Sequence, residues 1–406
     1  MSLKVAFTDF RPPYRVPADS PVVARVYLRS LPGLISVGAI ESWRRIRGES
    51  GMVTIPGIAE RPKSIIWDIT YACPLRCVHC YSESGRRPTR QLGLADMHLT
   101  VDAIIAAKPA AVGITGGEPL TVRGIFELLR RIADAGIRVQ LFTSGWPMTP
   151  EIATKLGETV ERVIVSVDGA TAEMHDSIRG RKGSFDRAMS ALSMLDEESR
   201  QRRARGQNPL WFGVDCVVMR SNFGQLEQYC TEMAPRFPEL SAIEFGTAVP
   251  TGLASRTGFD KYELVSDEQY DELGRTELPA RLQSLAPASV DIACTNNAVM
   301  MWTPAQLAAG QYFQAIVVEP DGAVRAMPNY EGVVGNLLDE PVESLWRKAI
   351  ERWSDPFVVE TLSPVTTMSN WAVATRAIDY HFGTDQVRAR IDRRPEFSGP
   401  VLLPAP

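Results

Sequence analysis

Residues 64–80 have the sequence SIIWDIT-YA-CPLRCVHC. The first seven of them, Ser64–Thr70, are rich in β-branched and aromatic side chains, which predicts a buried strand. Three cysteines, Cys73, Cys77 and Cys80, follow directly with the spacing C-x3-C-x2-C. We therefore expect the cysteines in a loop at the carboxyl end of that strand, and their close spacing indicates a metal site rather than disulfides.

Downstream of this loop, strand-like runs alternate with helical patterns. This alternation predicts repeated βαβ units and a parallel sheet. Six units fit either an open doubly wound sheet or an incomplete barrel, and both architectures bind ligands at the carboxyl ends of their strands. The predicted strands are Ser64–Thr70, Ala110–Thr115, Arg138–Thr143, Arg162–Val167, Trp211–Met219 and Ala242–Val249, and the predicted helices lie at 95–108, 121–135, 149–157, 184–204 and 223–236.

The pattern changes after about residue 255. Asp267–Leu285 is predicted to be one helix, and Gln314–Val318 with Ala323–Met327 to be a hairpin, because Pro320-Asp-Gly322 is a turn sequence. Val342–Trp353 is predicted to be a helix. The expected regions are a lead-in or cap at 1–60 with a helical run near Ile40–Arg47, a barrel at 61–255, a smaller α+β extension at 256–353 and an unassigned tail at 354–406.

The composition restricts the class of protein. The 406 residues are 45% hydrophobic and 23% charged, which is ordinary for a soluble globular protein. The net charge of −4 argues against a general nucleic-acid surface. Met1–Phe10 lacks an apolar core of signal-peptide length, and no segment is long and apolar enough for a membrane span. We therefore predict a cytoplasmic protein without nucleic-acid or membrane partners.

The cysteine spacing favours an iron–sulfur cluster. Thiolates are soft ligands that suit iron–sulfur clusters or zinc, and no fourth cysteine or suitably spaced histidine nearby completes a tetrahedral zinc site. Three ligands on a four-iron cluster leave one iron open to a chelating molecule. The alternatives are a zinc site with a remote fourth ligand, or three unrelated buried thiols. His79 lies between two cysteines, and we expect it to stack against the cluster or its ligand.

These residues resemble the hallmark of the radical S-adenosylmethionine (SAM) superfamily, C-x3-C-x-(aromatic)-C after a first barrel strand, with His79 in the aromatic position. The resemblance covers about residues 62–350. It implies an incomplete (βα)6 TIM-like barrel with one 4Fe–4S cluster on Cys73, Cys77 and Cys80. It also implies that SAM chelates the open iron, and that one electron then splits SAM into methionine and a 5′-deoxyadenosyl radical.

The resemblance also implies contacts to SAM. The sequence Gly116-Gly117-Glu118-Pro119 is similar to the GGEP motif that receives the SAM amino group; by itself it is also compatible with a tight turn. Arg179, in HDSIRGRKGSF, resembles an arginine that pairs with the SAM carboxylate, and its alternative is a solvated loop residue. The resemblance further implies that Ser166 contacts the ribose and that the backbone of Pro250–Gly252 contacts adenine. Asp168 is expected to contact the ribose or the substrate, or only to cap its loop. Two more implied contacts to SAM are Asn222 and Ser144, the latter at a position where relatives carry the sequence T-N-G.

The extension resembles a SPASM or twitch domain that has lost its cluster ligands. IVVEPDGAVRAMP at 316–328 keeps the scaffold, but Met327 replaces a cysteine, and Cys294 is the only cysteine left of the set. The resemblance thus implies no auxiliary cluster. Such a cluster accepts an electron in oxidations, so its loss favours a redox-neutral outcome, while oxidation stays open if the first cluster takes the electron back.

Epimerisation requires a hydrogen-atom donor, and Cys294, in a loop-like segment near Asn296 and Asn297, is the candidate. Cys216 and Cys230 are expected to be buried packing residues.

The sequence therefore predicts a radical SAM enzyme that abstracts hydrogen from a small biosynthetic intermediate. The expected outcome is epimerisation, rearrangement, elimination or decarboxylation, with flavodoxin or ferredoxin as the electron donor. One alternative is the cross-linking or epimerisation of a ribosomally made peptide. A second is a non-catalytic cluster-binding partner protein, against which the three cysteines, the GGEP sequence and Arg179 argue.

Overall fold

Six strands lie within two residues of their predicted bounds. The structure is a computed structural model that describes residues 55–88 and 91–399. Most of the predicted lead-in at 1–60, including the helical run Ile40–Arg47, lies outside the described residues. The six strands are β1 Ser64–Thr70, β2 Ala111–Gly116, β3 Arg138–Thr143, β4 Arg162–Ser166, β5 Trp211–Val218 and β6 Ala242–Thr247.

The order of these strands decides between the two predicted architectures. Strands β1 to β6 pair in parallel and in consecutive order. A doubly wound sheet reverses its order at a switch point, and this sheet does not. Right-handed crossovers in one direction place every connecting helix on one face, so the sheet buries its other face by curling. The incomplete barrel is thus confirmed.

The helices between these strands form the outer layer. Helix α2 buries Ile125, Leu128, Leu129 and Ile132, the apolar face that the sequence predicts. Segment 223–236 is less regular than predicted, because a π turn at Tyr229–Met233 lies between short 3-10 turns. The helices are α1 Leu94–Ala107, α2 Ile125–Asp134, α3 Pro150–Thr159, α4 Ala172–Arg179 and α5 Ser184–Ala204.

Four strands of the extension continue the same sheet. Strand β7, Asp291–Thr295, pairs in parallel with β6, and β8, Ala315–Val318, pairs in parallel with β1. Strand β9, Ala323–Arg325, pairs antiparallel with β8, which confirms the predicted hairpin, and β10, Val333–Asn336, pairs antiparallel with β9. The loop expected around Cys294 is wrong, because Cys294 lies in β7 and its backbone follows the edge of β6.

The remaining helices differ from prediction in two places. The single helix expected over Asp267–Leu285 is two helices, because Arg275 after Gly274 takes an extended conformation, and the tail left unassigned is helical. No helix of the described part is both long and apolar enough to cross a membrane. The helices are α6 Asp267–Gly274, α7 Glu277–Leu285, α8 Pro304–Ala308, α9 Val342–Trp353, α10 Pro356–Leu362, α11 Met368–Phe382 and α12 Asp385–Asp392, besides the single turn Phe259–Tyr262.

An aromatic cluster forms the core of the extension. The rings of Trp302 and Trp353 are 4.5 Å apart between centroids, and Trp346 packs edge-on against Trp353 at 5.2 Å. Met327 is 2% exposed, and the neighbouring Ala326 carbonyl accepts a hydrogen bond from the Trp353 indole. Apolar packing therefore surrounds the position where the resemblance places a cluster cysteine; the absence of an auxiliary cluster stays a prediction.

Candidate functional site

The cysteine loop is held by the main chain of two other segments. The Arg76 and Val78 amides donate to the carbonyls of Arg179 and Ile178, at 3.0 and 2.9 Å, at the end of α4. On its other side, the Leu253 amide donates to the Cys80 carbonyl at 3.1 Å. The loop is therefore fixed between α4 and the segment that follows β6, so the positions of its cysteines depend on both.

The three cysteines differ in exposure. Cys77 is buried, and Cys73 and Cys80 are half-buried. Burial raises the pKa of the Cys73 and Cys77 thiols, and the Arg179 guanidinium, 3.8 Å from the Cys77 sulfur, opposes the shift at Cys77. No three histidine, cysteine or carboxylate side chains of residues 55–88 and 91–399 are grouped closely enough to hold one metal ion. A four-iron cluster is larger than a single ion, and it separates its thiolate ligands more widely.

Asp168, which follows β4, joins His79 to Arg179. Its Oδ2 atom lies 2.8 Å from His79 Nε2 and 2.6 Å from Arg179 Nε. Burial alone would raise the pKa of Asp168, but Arg179 and His79 hold this pKa below its usual range. Burial lowers the pKa of His79 to about 4 despite the carboxylate, so the imidazole is neutral at pH 7 and donates Nε2–H to Asp168. His79 and Arg179 are thereby fixed against each other beside Cys77.

Asn222 has its whole side chain engaged with the backbone of neighbouring strand ends. Its amide nitrogen donates to the Asp168 and Val217 carbonyls, at 2.8 and 2.9 Å, and its oxygen accepts from the Met219 amide at 2.7 Å. The Val217 amide in turn donates to the Asp168 carboxylate at 2.9 Å. In this geometry Asn222 orients the Asp168 loop, and the contact to SAM predicted for Asn222 stays a prediction.

Glu118 links the loops after β2 and β3. Its carboxylate accepts from the Thr143 hydroxyl and the Ser144 amide, both at 2.8 Å, and also from the Ser144 hydroxyl and the Leu120 amide. Burial raises the pKa of Glu118, while these hydrogen bonds to its ionised form oppose the shift. Pro119 begins the short turn that carries the Leu120 amide. The predicted contacts Glu118 and Ser144 therefore lie together.

Three features fit a bound SAM molecule. Arg179 Nη2 and Ser166 Oγ are buried and have no hydrogen-bond partner among the described residues. One can donate to a carboxylate, and the other can bond to a ribose hydroxyl. Gly117 packs so closely that a Cβ atom there would lie 2.1 Å from the Ala72 carbonyl, and Gly116 has φ of +112°. The residues present therefore suit an anionic ligand group, a hydroxyl and close approach of the backbone beside the cysteine loop.

The strand register places Cys294 on the outer face of the sheet. Cys216, Phe245 and Cys294 are matched across β5, β6 and β7, and matched residues of parallel strands share a face. Tyr229 of the outer segment 223–236 bonds to the Cys216 sulfur at 3.3 Å and packs edge-on against Phe245. The row facing the interior contains Ser166, Asp215, Glu244 and Ala293. The hydrogen-donor role of Cys294 stays a prediction, and the register gives it no support.

Sequence reasoning missed a buried polar cluster in the barrel. Asp68 of β1 accepts hydrogen bonds from the hydroxyls of Tyr81 and Thr115, both at 2.6 Å, and pairs with Arg325 of β9 at 3.1 Å. Asp68 and Arg325 are 257 positions apart. The signal that could have revealed this cluster is the charged residue within the otherwise apolar strand SIIWDIT, because a buried charge requires a partner.

The comparisons with known proteins agree with this geometry. The family model described as the radical SAM superfamily matches residues 67–201. An AdoMet-dependent heme synthase of Methanosarcina barkeri is 33% identical over 52% of this chain and 56% of its own length. The mycofactocin maturase MftC of Mycobacterium tuberculosis is 37% identical over 44% of this chain and 43% of its own length. The chain thus spans about half the length of these curated relatives.

Solved structures share the fold at low sequence identity. SuiB of Streptococcus suis bound to S-adenosylmethionine superposes with a TM-score of 0.53 and 14% identity, covering 84% of this chain and 76% of SuiB. The enzyme anSMEcpe with bound AdoMet gives a TM-score of 0.54 and 14% identity, covering 82% of this chain and all of that one.

The chain thus combines a partial barrel, a cysteine loop at the carboxyl end of its first strand, and an extension that continues the same sheet. Residues 67–201, which include the cysteine loop, match the radical SAM superfamily. The cofactors of this superfamily are a 4Fe–4S cluster and SAM.

Proposed function

We propose that this protein cleaves SAM reductively and abstracts a hydrogen atom from a small biosynthetic intermediate. The observation that carries the proposal is the cysteine loop together with two buried polar atoms, Arg179 Nη2 and Ser166 Oγ, that have no hydrogen-bond partner in residues 55–88 and 91–399. In this proposal Cys73, Cys77 and Cys80 hold the cluster. Bound together, the cluster and SAM supply the one-electron cleavage that yields methionine and a 5′-deoxyadenosyl radical.

The chain itself contributes binding, orientation and the exclusion of water. Arg179, fixed by Asp168, offers Nη2 to the SAM carboxylate, and Ser166 offers its hydroxyl to the ribose. Glu118 holds Ser144 and the Gly116–Gly117 loop in place, so that backbone carbonyls near the glycines can accept from the SAM ammonium group. His79, neutral and bonded to Asp168, packs next to the cysteines. These groups are buried, which keeps water and stray hydrogen donors away from a radical.

A buried group of polar atoms supports a substrate that carries hydrogen-bond donors. Asn297 Oδ1 and Asn329 Oδ1 have no hydrogen-bond partner among the described residues. Both residues adjoin the turn Ala298–Met301, because Asn297 directly precedes it and the Asn329 amide donates to the Met300 carbonyl at 2.7 Å. Two amide oxygens match amine, amide or hydroxyl groups. Their burial favours a small molecule over an extended chain.

A redox-neutral outcome is part of the proposal. After residue 255 the chain contains one cysteine, Cys294, and a single thiolate does not hold an auxiliary cluster. Without a second electron acceptor, epimerisation, rearrangement, elimination or decarboxylation is favoured over a net oxidation.

Anaerobic reconstitution and turnover test the proposal. The reconstituted protein should contain about four irons per chain and release 5′-deoxyadenosine when it is reduced with SAM. Metabolites made by enzymes of adjacent genes are then supplied, and the product should differ from the substrate without a net oxidation. About eight irons per chain would refute the single cluster. Failure to release 5′-deoxyadenosine with any of these substrates would favour a non-catalytic cluster-binding protein.

A peptide substrate is the second candidate. SuiB, which shares this fold, was solved bound to its precursor peptide SuiA, and MftC and the subtilosin biosynthesis protein AlbA of Bacillus subtilis are relatives in sequence. A short peptide encoded beside this gene, and modified by the reconstituted protein with a change in mass or stereochemistry, would replace the small-molecule proposal.

A further inference from the structure

Four arginines surround the outside of the cysteine loop and donate to its main-chain carbonyls. Arg76 Nη1 donates to Cys73 and Leu75 at 2.9 and 2.8 Å, and Arg181 Nη1 donates to Pro74 at 2.7 Å. Arg256 Nη2 donates to Val78 at 3.1 Å, and Arg86 Nη1 donates to Cys77 at 3.2 Å. We call Arg76, Arg86, Arg181 and Arg256 the arginine collar.

The charge of the collar is not neutralised by adjacent carboxylates. Within the described residues, no carboxylate oxygen lies within 4.0 Å of a collar guanidinium. Glu83, in the same loop, is already paired with Arg390 and Arg394 of the tail, at 2.9 and 2.7 Å. Burial, with repulsion from Arg86 and Arg394 and opposed by the Glu83 carboxylate, lowers the pKa of Arg256 to about 10, which leaves it charged at pH 7. The collar thus places four positive charges around the loop.

The collar is accessible from solvent. Arg86 is exposed, and the other three arginines are half-buried. Beside them lie exposed Lys182 and Arg187. The half-buried ring of Trp146 lies under Arg181 at 4.0 Å and under Arg187 at 5.4 Å. A cationic surface with a flat aromatic side chain therefore lies directly on the segment that carries the cysteines.

We infer that the arginine collar, together with the adjacent Lys182 and Arg187, is the docking surface for an acidic one-electron-donor protein. The inference rests on the proposed function, because reductive cleavage of SAM requires one electron to reach the cluster. An acidic donor is drawn to uncompensated arginines, and docking there places its redox centre next to the cysteine loop. In the transfer, the reduced donor loses one electron and the oxidised cluster gains it; no atom moves, and the oxidised donor dissociates.

The experiment compares two reductants on the reconstituted, SAM-free enzyme. Flavodoxin hydroquinone is the acidic protein donor, and reduced methyl viologen is a small cation. Stopped-flow absorbance follows cluster reduction. For the double variant R86Q/R181Q at low ionic strength, the second-order rate with flavodoxin should fall at least about tenfold, because electrostatic steering is lost. The rate with methyl viologen should not fall. In the wild type, added salt should slow the reduction of the cluster by flavodoxin but not its reduction by methyl viologen.

The controls separate the possible failures. The variant R130Q/R203Q removes two exposed arginines that pair with Glu158 and Glu239, and its flavodoxin rate should match the wild type. Iron content and the EPR spectrum show whether each variant keeps its cluster. If R86Q/R181Q loses iron, the variant K182Q/R187Q replaces it as the test, because neither Lys182 nor Arg187 bonds to the loop. An unchanged flavodoxin rate in the deciding variant overturns the inference. A wild-type cluster that methyl viologen also cannot reduce contradicts the proposed function instead.

Discussion

At the scale of single residues, the carboxylate of Glu118 shows how the site is built. Both of its oxygens accept hydrogen bonds, Oε1 from Thr143 and the Leu120 amide, and Oε2 from Ser144. Since the carboxylate is fully buried, these donors are its only compensation within the described residues. Glu118 thereby acts on bound SAM by positioning the loops after β2 and β3 relative to each other.

Replacing Glu118 with glutamine should destabilise the protein by about 1–3 kcal/mol. The amide NH2 of glutamine faces the Leu120 amide in one orientation and the Ser144 amide in the other, so two donors oppose each other in either case. Urea unfolding of the metal-free protein measures the change. The matched control is E158Q at an exposed ion pair, where the free energy of unfolding should hardly change. Equal stabilities of E118Q and E158Q would contradict the anchoring role.

Gly117 gives a second test at this scale. An alanine Cβ would lie 2.1 Å from the Ala72 carbonyl, so the GGEP loop must move away from the cysteine loop. We expect G117A to lower the free energy of unfolding by about 1–3 kcal/mol. It should also release iron faster to a chelator after reconstitution. G224A is the control, because its Cβ meets nothing within 4 Å. A G117A protein that behaves like G224A would show that the two loops do not depend on this contact.

The sequence predicted the residues whose chemistry is local. Cysteine spacing, the GGEP sequence and polar residues at strand ends all lie within a few positions of a predicted strand, so periodicity locates them. Distant partners carry no such signal. Asp68 pairs with Arg325, and Glu83 pairs with Arg394, although the partners are separated by most of the sequence. The sequence also could not predict on which face of the sheet the Cys294 side chain lies. That face depends on the register of β7 against β6, which the sequence does not specify.

At the scale of elements, helix α12 and the residues after it connect the tail to the cysteine loop. Arg390 and Arg394 both pair with Glu83, which has φ of +53°, and Arg394 also donates to Ser255 at 3.2 Å. The sequence left this tail unassigned because it is rich in proline and arginine. Helix α12 itself buries no residue, and ion pairs connect it and Arg394 to the loop. Helix α4 was missed for a similar reason, being short and polar, although Thr171 caps its start and Gly180 its end.

The pairing of Glu83 with Arg394 should be detectable as an energetic coupling. Both side chains are buried, so R394Q should cost about 3 kcal/mol, because it leaves a buried carboxylate with one cation fewer. The double variant E83Q/R394Q should cost less than the sum of the single variants, with a coupling energy of about 1–3 kcal/mol. Urea unfolding of all four proteins measures it.

The control for this cycle is R388Q, which breaks a pair with the exposed Asp385 and should change stability little. Iron release to a chelator, measured on the reconstituted proteins, should be faster in R394Q than in R388Q. Strictly additive effects of E83Q and R394Q would show that the tail does not hold the cysteine loop through this pair.

At the scale of the whole molecule, one sheet joins regions that the sequence separates. The extension contributes β8 beside β1 and β7 beside β6, so both edges of the barrel strands are covered by its strands. The predicted boundary near residue 255 follows a change of pattern, and strand pairing crosses it. The alternation of strands and helices predicts the barrel because each βα unit is local. The pairing of β1 with β8 is not local, since the chain between them contains every other barrel strand.

Asp379 of helix α11 makes the stability of this assembly depend on pH. Its Oδ1 accepts from the Glu331 amide at 2.8 Å, and its Oδ2 is buried without a hydrogen-bond partner among the described residues. Burial, reinforced by the Glu331 carboxylate and opposed by Arg394 and Arg325, raises the pKa of Asp379 to about 7. In the unfolded chain the pKa of an aspartate is about 3.9. Between these two values the folded state holds a proton that the unfolded state has lost.

The sign of the pH dependence follows from that proton. The contribution of Asp379 is full below about pH 4 and disappears as the pH rises toward and through 7, at about 1.4 kcal/mol per pH unit. The variant D379N keeps the acceptor for the Glu331 amide but has no proton to lose. Between pH 5 and 7, the wild type should therefore lose about 2 kcal/mol more free energy of unfolding than D379N. Urea titrations of the metal-free proteins at several pH values measure this difference, with D339N at an exposed aspartate as the control. If D379N and D339N lose stability in parallel with the wild type, the buried carboxyl is ionised in the folded protein, and the charges around Glu331 are balanced in another way.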